Sequence, residues 1–243
     1  MAQTPIAHPP IATEAQWLIE RKRLLTQERE LTQQADRVRA QLRRLPMVRI
    51  EKEYTLQGAH GQVGLLDLFE GMTQLIVYHF MFDPAWDRGC EGCTAYIDAI
   101  GDISMLKERN TTFVFVSRAP YEKLVAFKET KGWTLPWFSS FGSDFNYDFH
   151  ATLDSAKAPA EYNYRTMEEW AQLRDGGYPD TGEEHGLSVF FQMNGEAYHT
   201  YSTYGRGTEM LTDSYALLDV TPYGRQEDFE DSPPGWPQRP TYG

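Results

Sequence analysis

From Trp17 onward an apolar side chain returns every seven residues, at Leu24, Leu31, Val38 and Leu45, and Leu18, Leu25, Ala35 and Leu42 widen the stripe. The pattern predicts one long amphipathic helix, stopped at Pro46. Thr13-Glu14-Ala15-Gln16 offers a capping box at its start. Arg21, Lys22, Arg23, Arg29, Arg37, Arg39, Arg43 and Arg44 fall on its other faces. Arg21 and Glu28 stand four residues after the first two stripe positions, where a strict coiled-coil seam wants apolar side chains. The expectation is therefore a helix that packs on the body or on a partner subunit, with a homodimer as the default.

Beyond Pro46 the period changes. Residues 48–56 alternate as a strand, Gly58 to Gly61 make a turn, and Leu65 to Phe69 read as a short helix ending at Gly71. Residues 74–82, QLIVYHFMF, are continuously apolar and aromatic, as a strand covered on both faces would be. Asp83-Pro84 breaks them. Residues 90–108 read as a helix with Ile97, Ile100, Met105 and Leu106 on its packing side, and residues 111–117 as a second buried strand. Ala119-Pro120 opens another helix, with proline in its first turn, which Gly132 closes. An extended aromatic stretch, TLPWFSSFGSDF, follows. Residues 151–186 read as an insertion with one helix near 166–174. LSVFFQM and AYHTYST flank Asn194-Gly195, a strong hairpin signal. A last helix is expected over 208–219, and an acidic, then proline-rich tail from Gly224. The expected organisation is a helical arm over 1–46, an α/β domain over 47–223 and a tail over 224–243.

Composition narrows the function. The 243 residues carry 23 Lys+Arg against 35 Asp+Glu, a formal net charge of −12. An acidic chain lacks the basic face that a nucleic-acid binder needs, and equally a polybasic membrane anchor. The longest apolar run, Leu75 to Phe82, is too short to span a bilayer. No basic segment followed by an apolar one opens the chain. These features lead to the expectation of a cytoplasmic protein with no nucleic-acid or membrane partner.

The only two cysteines, Cys90 and Cys93, form one C-E-G-C. They cannot staple distant elements. Spacing alone leaves a redox dithiol, half of a metal site, or two inert thiols. The surroundings favour the first, because a C-x-x-C beside a βαβ pattern reads as redox. Cys90 opens a helix, whose unpaired N–H groups and positive dipole end favour thiolate, so Cys90 is the expected nucleophile and Cys93 the resolving thiol. Asp87 and Glu91 oppose this and Arg88 offsets them in part. The order strand, C-x-x-C, helix, strand, helix, hairpin, helix is that of a three-layer thioredoxin-like α/β sandwich, with an N-terminal helical arm and an insertion.

YHFMFDPAWDRGCEGCTAYID, FVFVSRAPYEKLVAFKETKGW, PWFSSFGSDFNYDF, HTYSTYGRGTEML and LDVTPYGR resemble, in that order, a bacterial thioredoxin-like family of unknown function, whose members often carry the label dithiol-disulfide isomerase. The resemblance covers about residues 14–231 and implies a thioredoxin-like fold. The chain departs from true thioredoxins in carrying C-E-G-C and in having no proline immediately ahead of the strand at Leu187. Metal binding and a peroxidase-like reaction therefore stay open beside disulfide exchange.

Other residues are candidates for supporting roles. Arg118 follows the second buried strand at its carboxyl end, where α/β sheets place their crevices, and could stabilise a thiolate or hold an acidic substrate. Trp86 could wall a groove, and Asp144, Asn146 and Arg206 could orient substrate from loops, although packing, ion pairing and turn formation account for these residues equally well. His79 and His199 are more naturally core histidines. If both met Cys90 and Cys93, the four would suit a transition metal such as zinc. Three readings follow: a thiol–disulfide oxidoreductase or thiol peroxidase acting on a thiol, disulfide or peroxide without a cofactor, a metal-binding protein, and a non-catalytic interaction module.

Overall fold

The computed structural model describes residues 6–240, which divide into two compact units. One joins the chain up to Pro46 with Leu218–Pro240, and the other spans Met47–Leu217.

In the first unit a single helix, α1 (Glu14–Leu42), realises the long apolar period. Its capping box forms as the sequence predicts: the Gln16 amide donates to Thr13 Oγ1 at 3.3 Å, and Gln16 Oε1 accepts from the Thr13 amide at 3.1 Å. The helix stops at Leu42, before Pro46, because the residue ahead of a proline disfavours helical backbone. None of its residues is buried, and its stripe is open, with Trp17 58% and Leu31 69% exposed. Residues 219–240 form turns and irregular backbone. There the Tyr223 ring meets Trp236 edge-on at 5.3 Å, and its hydroxyl donates to the Ala7 carbonyl.

The second unit runs β1 (Val48–Arg49), β2 (Thr55–Gly58), β3 (Gly61–Gly64), a 3-10 turn at Leu65–Phe69, β4 (Gln74–His79), α2 (Glu91–Asp98), α3 (Ser104–Glu108), β5 (Thr111–Ser117), α4 (Tyr121–Lys131), β6 (Trp137–Ser139), α5 (Phe145–Asp148), β7 (Thr152–Asp154), β8 (Glu161–Tyr162), β9 (Arg165–Thr166), α6 (Met167–Leu173), β10 (Thr181–Glu183), β11 (Gly186–Met193), β12 (Glu196–Tyr204), a 3-10 segment at Gly205–Leu211, and α7 (Asp213–Leu218). Eight strands form one sheet in the order β1-β12-β11-β4-β5-β6-β2-β3. Its centre, β12-β11-β4-β5, pairs β4 and β5 in parallel and sets β11 antiparallel to both its neighbours. That is the thioredoxin arrangement, a βαβ unit followed by a ββ hairpin. The hairpin turns at Asn194 and Gly195, both with positive φ (55° and 78°), as a two-residue type I′ loop requires.

Alternation along β4 sorts its side chains to two faces. Leu75 and Val77 join Val114, Val116, Phe145, Phe149 and Phe190 on one side. Tyr78 joins Phe80, Phe115, Leu124, Trp137 and the α2 residues Cys93, Tyr96 and Ile97 on the other. The sheet is thus the middle of three layers. Residues 151–186 do form an excursion: β7 and β10 pair antiparallel at its two ends, and α6 lies where a helix is expected.

Three expectations are corrected. Residues 48–56 do not form one strand. β1 pairs with β12 at one edge, whereas β2 pairs with β6 towards the other, because the exposed Glu51, Lys52 and Glu53 form a crossing rather than a ladder. The helix expected over 90–108 is two, α2 and α3, separated where Asp102 accepts from the Ser104 amide at 2.8 Å and starts the chain afresh. The last helix starts later than 208: a 3-10 segment precedes α7. No helix among the described residues is long and apolar enough to cross a membrane.

Candidate functional site

The apolar β4 ends at His79, and the chain leaves the sheet through Phe80, Met81 and Phe82. It turns at Asp83, whose carboxylate accepts from the Ala85 amide at 2.7 Å. Lys123 of α4 fixes the loop by donating to the carbonyls of Pro84 and Trp86, both at 2.8 Å. Gly89 then passes so close to Phe80 that an added Cβ would lie 2.5 Å from its ring. This approach delivers Cys90 to the N-cap of α2.

Cys90 is half-buried and Cys93 buried, and both are free thiols 3.6 Å apart. The Cys90 amide donates to the Met81 carbonyl at 3.1 Å, and Cys90 Sγ accepts from the Cys93 amide at 3.4 Å. Thr94 anchors the turn by donating its hydroxyl to the Cys90 carbonyl at 2.8 Å. The Cys93 side chain, together with the Cys93 and Gly92 amides, holds the Cys90 thiol down at about 6, against burial and the Glu91 charge. Burial and the neighbouring Cys90 push the Cys93 thiol well above the usual range, although Tyr78 hydrogen-bonds it and works the other way. Tyr78 is itself fixed, stacked on Tyr96 at 4.5 Å and 5° between planes. The surroundings thus favour loss of the proton at the half-buried Cys90 and its retention at the buried Cys93.

Arg118 lies at the end of β5, as expected, but it is not free. It donates to Asp83 and, at 2.6 Å through Nε, to Glu183. The Glu183 side chain is 1% exposed and also accepts from Thr152 at 3.0 Å. Glu183 ends β10, and its neighbour Glu184 follows it in the two-residue link to β11. Burial raises the Glu184 carboxyl, the Glu183 and Cys90 charges raise it further, and the Tyr178 and Tyr162 hydroxyls lower it. Tyr178 donates to Glu184 at 2.9 Å. Behind it Tyr178 stacks on Tyr162 at 4.8 Å and meets Trp170 at 4.9 Å, so the insertion builds the support for Glu184.

Trp86 is exposed on the loop before the dithiol. Asp144 is engaged by Lys157 at 2.5 Å and Lys52 at 2.9 Å, which together hold it down at about 2. Asn146 is buried, its side-chain oxygen accepting from Ser140 at 2.9 Å. Arg206 pairs with Glu209 at 3.3 Å. The four-residue metal set is not assembled. His79 and His199 lie on the sheet face opposite Cys93: His79 packs against Phe145 and Phe149, and His199 against Phe149 and Phe190. They are joined to each other through Ser188 and Ser202, by contacts of 2.9, 2.8 and 2.7 Å. Among the described residues no three His, Cys, Asp or Glu side chains are grouped to hold a metal.

Sequence reading misses Tyr78, Glu183 and Glu184. The last two carry a usable signal, the paired carboxylates just ahead of the third core strand. Tyr78 carries none, since a tyrosine in a buried strand reads as core.

No curated protein matches the chain. Solved structures similar to it include a mutant of PrxQ from Xylella fastidiosa (14% identity, 69% of this chain and 89% of that one, TM-score 0.42). The peroxidoxin BcpB from Mycobacterium tuberculosis is also similar (11%, 64% and 84%, 0.39), as is a reduced 2-Cys peroxiredoxin from Plasmodium vivax (14%, 66% and 82%, 0.36). The model of a family described as bacterial protein of unknown function (DUF899) matches residues 6–242, and the chain belongs to that family.

Proposed function

We propose that the protein is a thiol–disulfide oxidoreductase in which Cys90 attacks and Cys93 resolves. The observation that carries this reading is the asymmetry of the pair: a half-buried cysteine sulfur capping α2 and a buried one 3.6 Å away. The Cys90 thiolate attacks a disulfide R–S–S–R, forming Cys90–S–S–R and releasing RS⁻, which takes a proton from water. Cys93 gives its proton to solvent and attacks Cys90 Sγ, and the second RS⁻ leaves. The protein passes two electrons to the substrate and is left with a Cys90–Cys93 disulfide, which an external dithiol reduces. No metal or other cofactor takes part.

A disulfide suits the site better than a hydroperoxide. Polarising an O–O bond calls for an available cation, and Arg118 is engaged by Asp83 and Glu183. Mass spectrometry after alkylation, with and without reductant, tests the proposal. A Cys90–Cys93 disulfide that forms with a disulfide substrate and disappears with dithiothreitol is expected. Thiols that never pair would overturn it, and a Cys90 sulfenic acid formed only with peroxide would transfer the site to peroxidase chemistry.

The second part of the proposal is a homodimer in which the open α1 stripe meets the stripe of another copy. It is supported by the exposure of Trp17, Leu24, Leu31 and Val38 at one heptad position. Leu31→Glu places a charge in that stripe and is expected to move the protein to the monomer position in size-exclusion with light scattering. An unchanged mass removes this role of α1.

A further inference from the structure

The charge beside the nucleophile has a fixed origin. β11 pairs antiparallel with β4, Gly186 opposite His79. Carried two residues further, that register brings Glu184 level with Met81, whose carbonyl takes the Cys90 amide. Glu184 itself does not join the β4 ladder, because its amide donates to the Ala151 carbonyl at 2.9 Å. Its carboxylate is held by the Tyr178 hydroxyl, backed by the Tyr162 and Trp170 rings. Other charges around the dithiol are Asp83, Asp87, Glu91, Asp98 and Glu183 against Arg88, Arg118, Lys123 and Lys131, the last of which stands 3.9 Å from Asp98. Arg118 is matched by two carboxylates, Arg88 stands 3.9 Å from Glu91, and Lys123 is turned to the backbone of the loop. Glu184 is held by a neutral donor, the Tyr178 hydroxyl, and stands two residues ahead of the third core strand, level with the segment that leads β4 towards Cys90.

We infer that Glu184 sets the substrate class of the Cys90 site: disulfides bearing positive charge next to the sulfurs are accepted and anionic ones are turned away. The inference rests on the disulfide-exchange reading above and adds to it the kind of disulfide. A carboxylate there attracts a cation approaching the thiolate and repels an anion, and the effect falls on the encounter and on the mixed disulfide alike. The substrate class is then a disulfide within a basic peptide or protein segment, or a small disulfide with amino groups, rather than an acidic peptide disulfide.

The test uses three small disulfides with the full-length protein at about pH 8, where amine and carboxylate substrates carry full or nearly full charge: cystamine (cationic), bis(2-hydroxyethyl) disulfide (neutral) and 3,3′-dithiodipropionate (anionic). Rates are measured for wild type and Glu184→Gln, and the variant-to-wild-type ratio for the neutral disulfide absorbs any general change in thiol reactivity. Relative to that ratio, Glu184→Gln is expected to slow cystamine by about fivefold and to speed dithiodipropionate by about fivefold, as one screened charge at close range allows. A second arm needs no variant. Raising ionic strength from about 0.02 M to about 0.5 M should slow wild type on cystamine, speed it on dithiodipropionate and leave the neutral disulfide unchanged.

Equal ratios for all three disulfides, or a salt response without opposite signs, overturn the inference while disulfide exchange stands. Failure of wild type to reduce even the neutral disulfide overturns the exchange reading, and the inference with it.

Discussion

At the scale of single residues the site turns on how two thiols share one proton. The Cys90 thiol is lowered to about 6 chiefly by the Cys93 side chain. Thiolate is the reactive form, so the iodoacetamide alkylation rate of Cys90 should rise with pH through about 6 and be nearly level by about pH 7.5. In Cys93→Ala the same rate should climb through a higher pH, back towards an ordinary thiol. A mid-point that stays near 6 would show that the backbone amides alone hold the thiolate. Arg118 has a different role from the one its position suggests. With Glu183 buried beside it, Arg118→Met leaves a carboxylate without its counter-charge, and unfolding in urea should show a loss of about 3 kcal/mol. Cys90 and Cys93 are legible in the sequence because the signal lies within four consecutive residues. Glu184 is not, because its meaning depends on the pairing of β11 with β4, more than a hundred positions earlier in the chain. Asp144 shows the reverse: a polar residue in an aromatic loop invites a binding role, and two lysines account for it.

At the scale of elements, local signals are legible where they are strong. The capping box of α1, the Gly132 stop of α4 and the Asn194-Gly195 hairpin are written in a few adjacent residues, and each forms as read. β5 matches its expected limits, because six buried residues and one half-buried one, between Asn110 and Arg118, leave no other register. Signals fail where a short local bond competes with a longer period, as at Asp102, which restarts the chain between α2 and α3. The loop into α2 is the element that aims Cys90, and Gly89 is its tightest point. Gly89→Ala drives a methyl into the Phe80 ring, with Phe127 close behind. A stability loss of about 1–3 kcal/mol is expected in denaturant titration, with slower alkylation of Cys90 as the cap is displaced. Normal stability together with normal alkylation would show that the loop can shift without cost to the site.

At the scale of the whole molecule, the α/β class and the order of the core follow from alternation and length, but the sheet's outer strands do not. Only contacts between distant parts of the chain decide that residues 48–58 serve both flanks. β1 lies on β12, held further by the Ile50 amide donating to the Ala197 carbonyl at 2.9 Å, and β2 lies on β6 with β3 outside it. One short ribbon therefore bolts on to both β12 and β6, the outer strands of the core, and a bare rim is a template for another chain. Ile50→Pro takes away that amide and should free the rim of β12 while β2 stays seated. The expected sign is light scattering that starts at a lower temperature on heating, with the alkylation behaviour of Cys90 unchanged. The same bolt gives the fold a one-sided weakness: its chemistry sits at one end of the central strands, but its safety against self-association hangs on two residues at the flank.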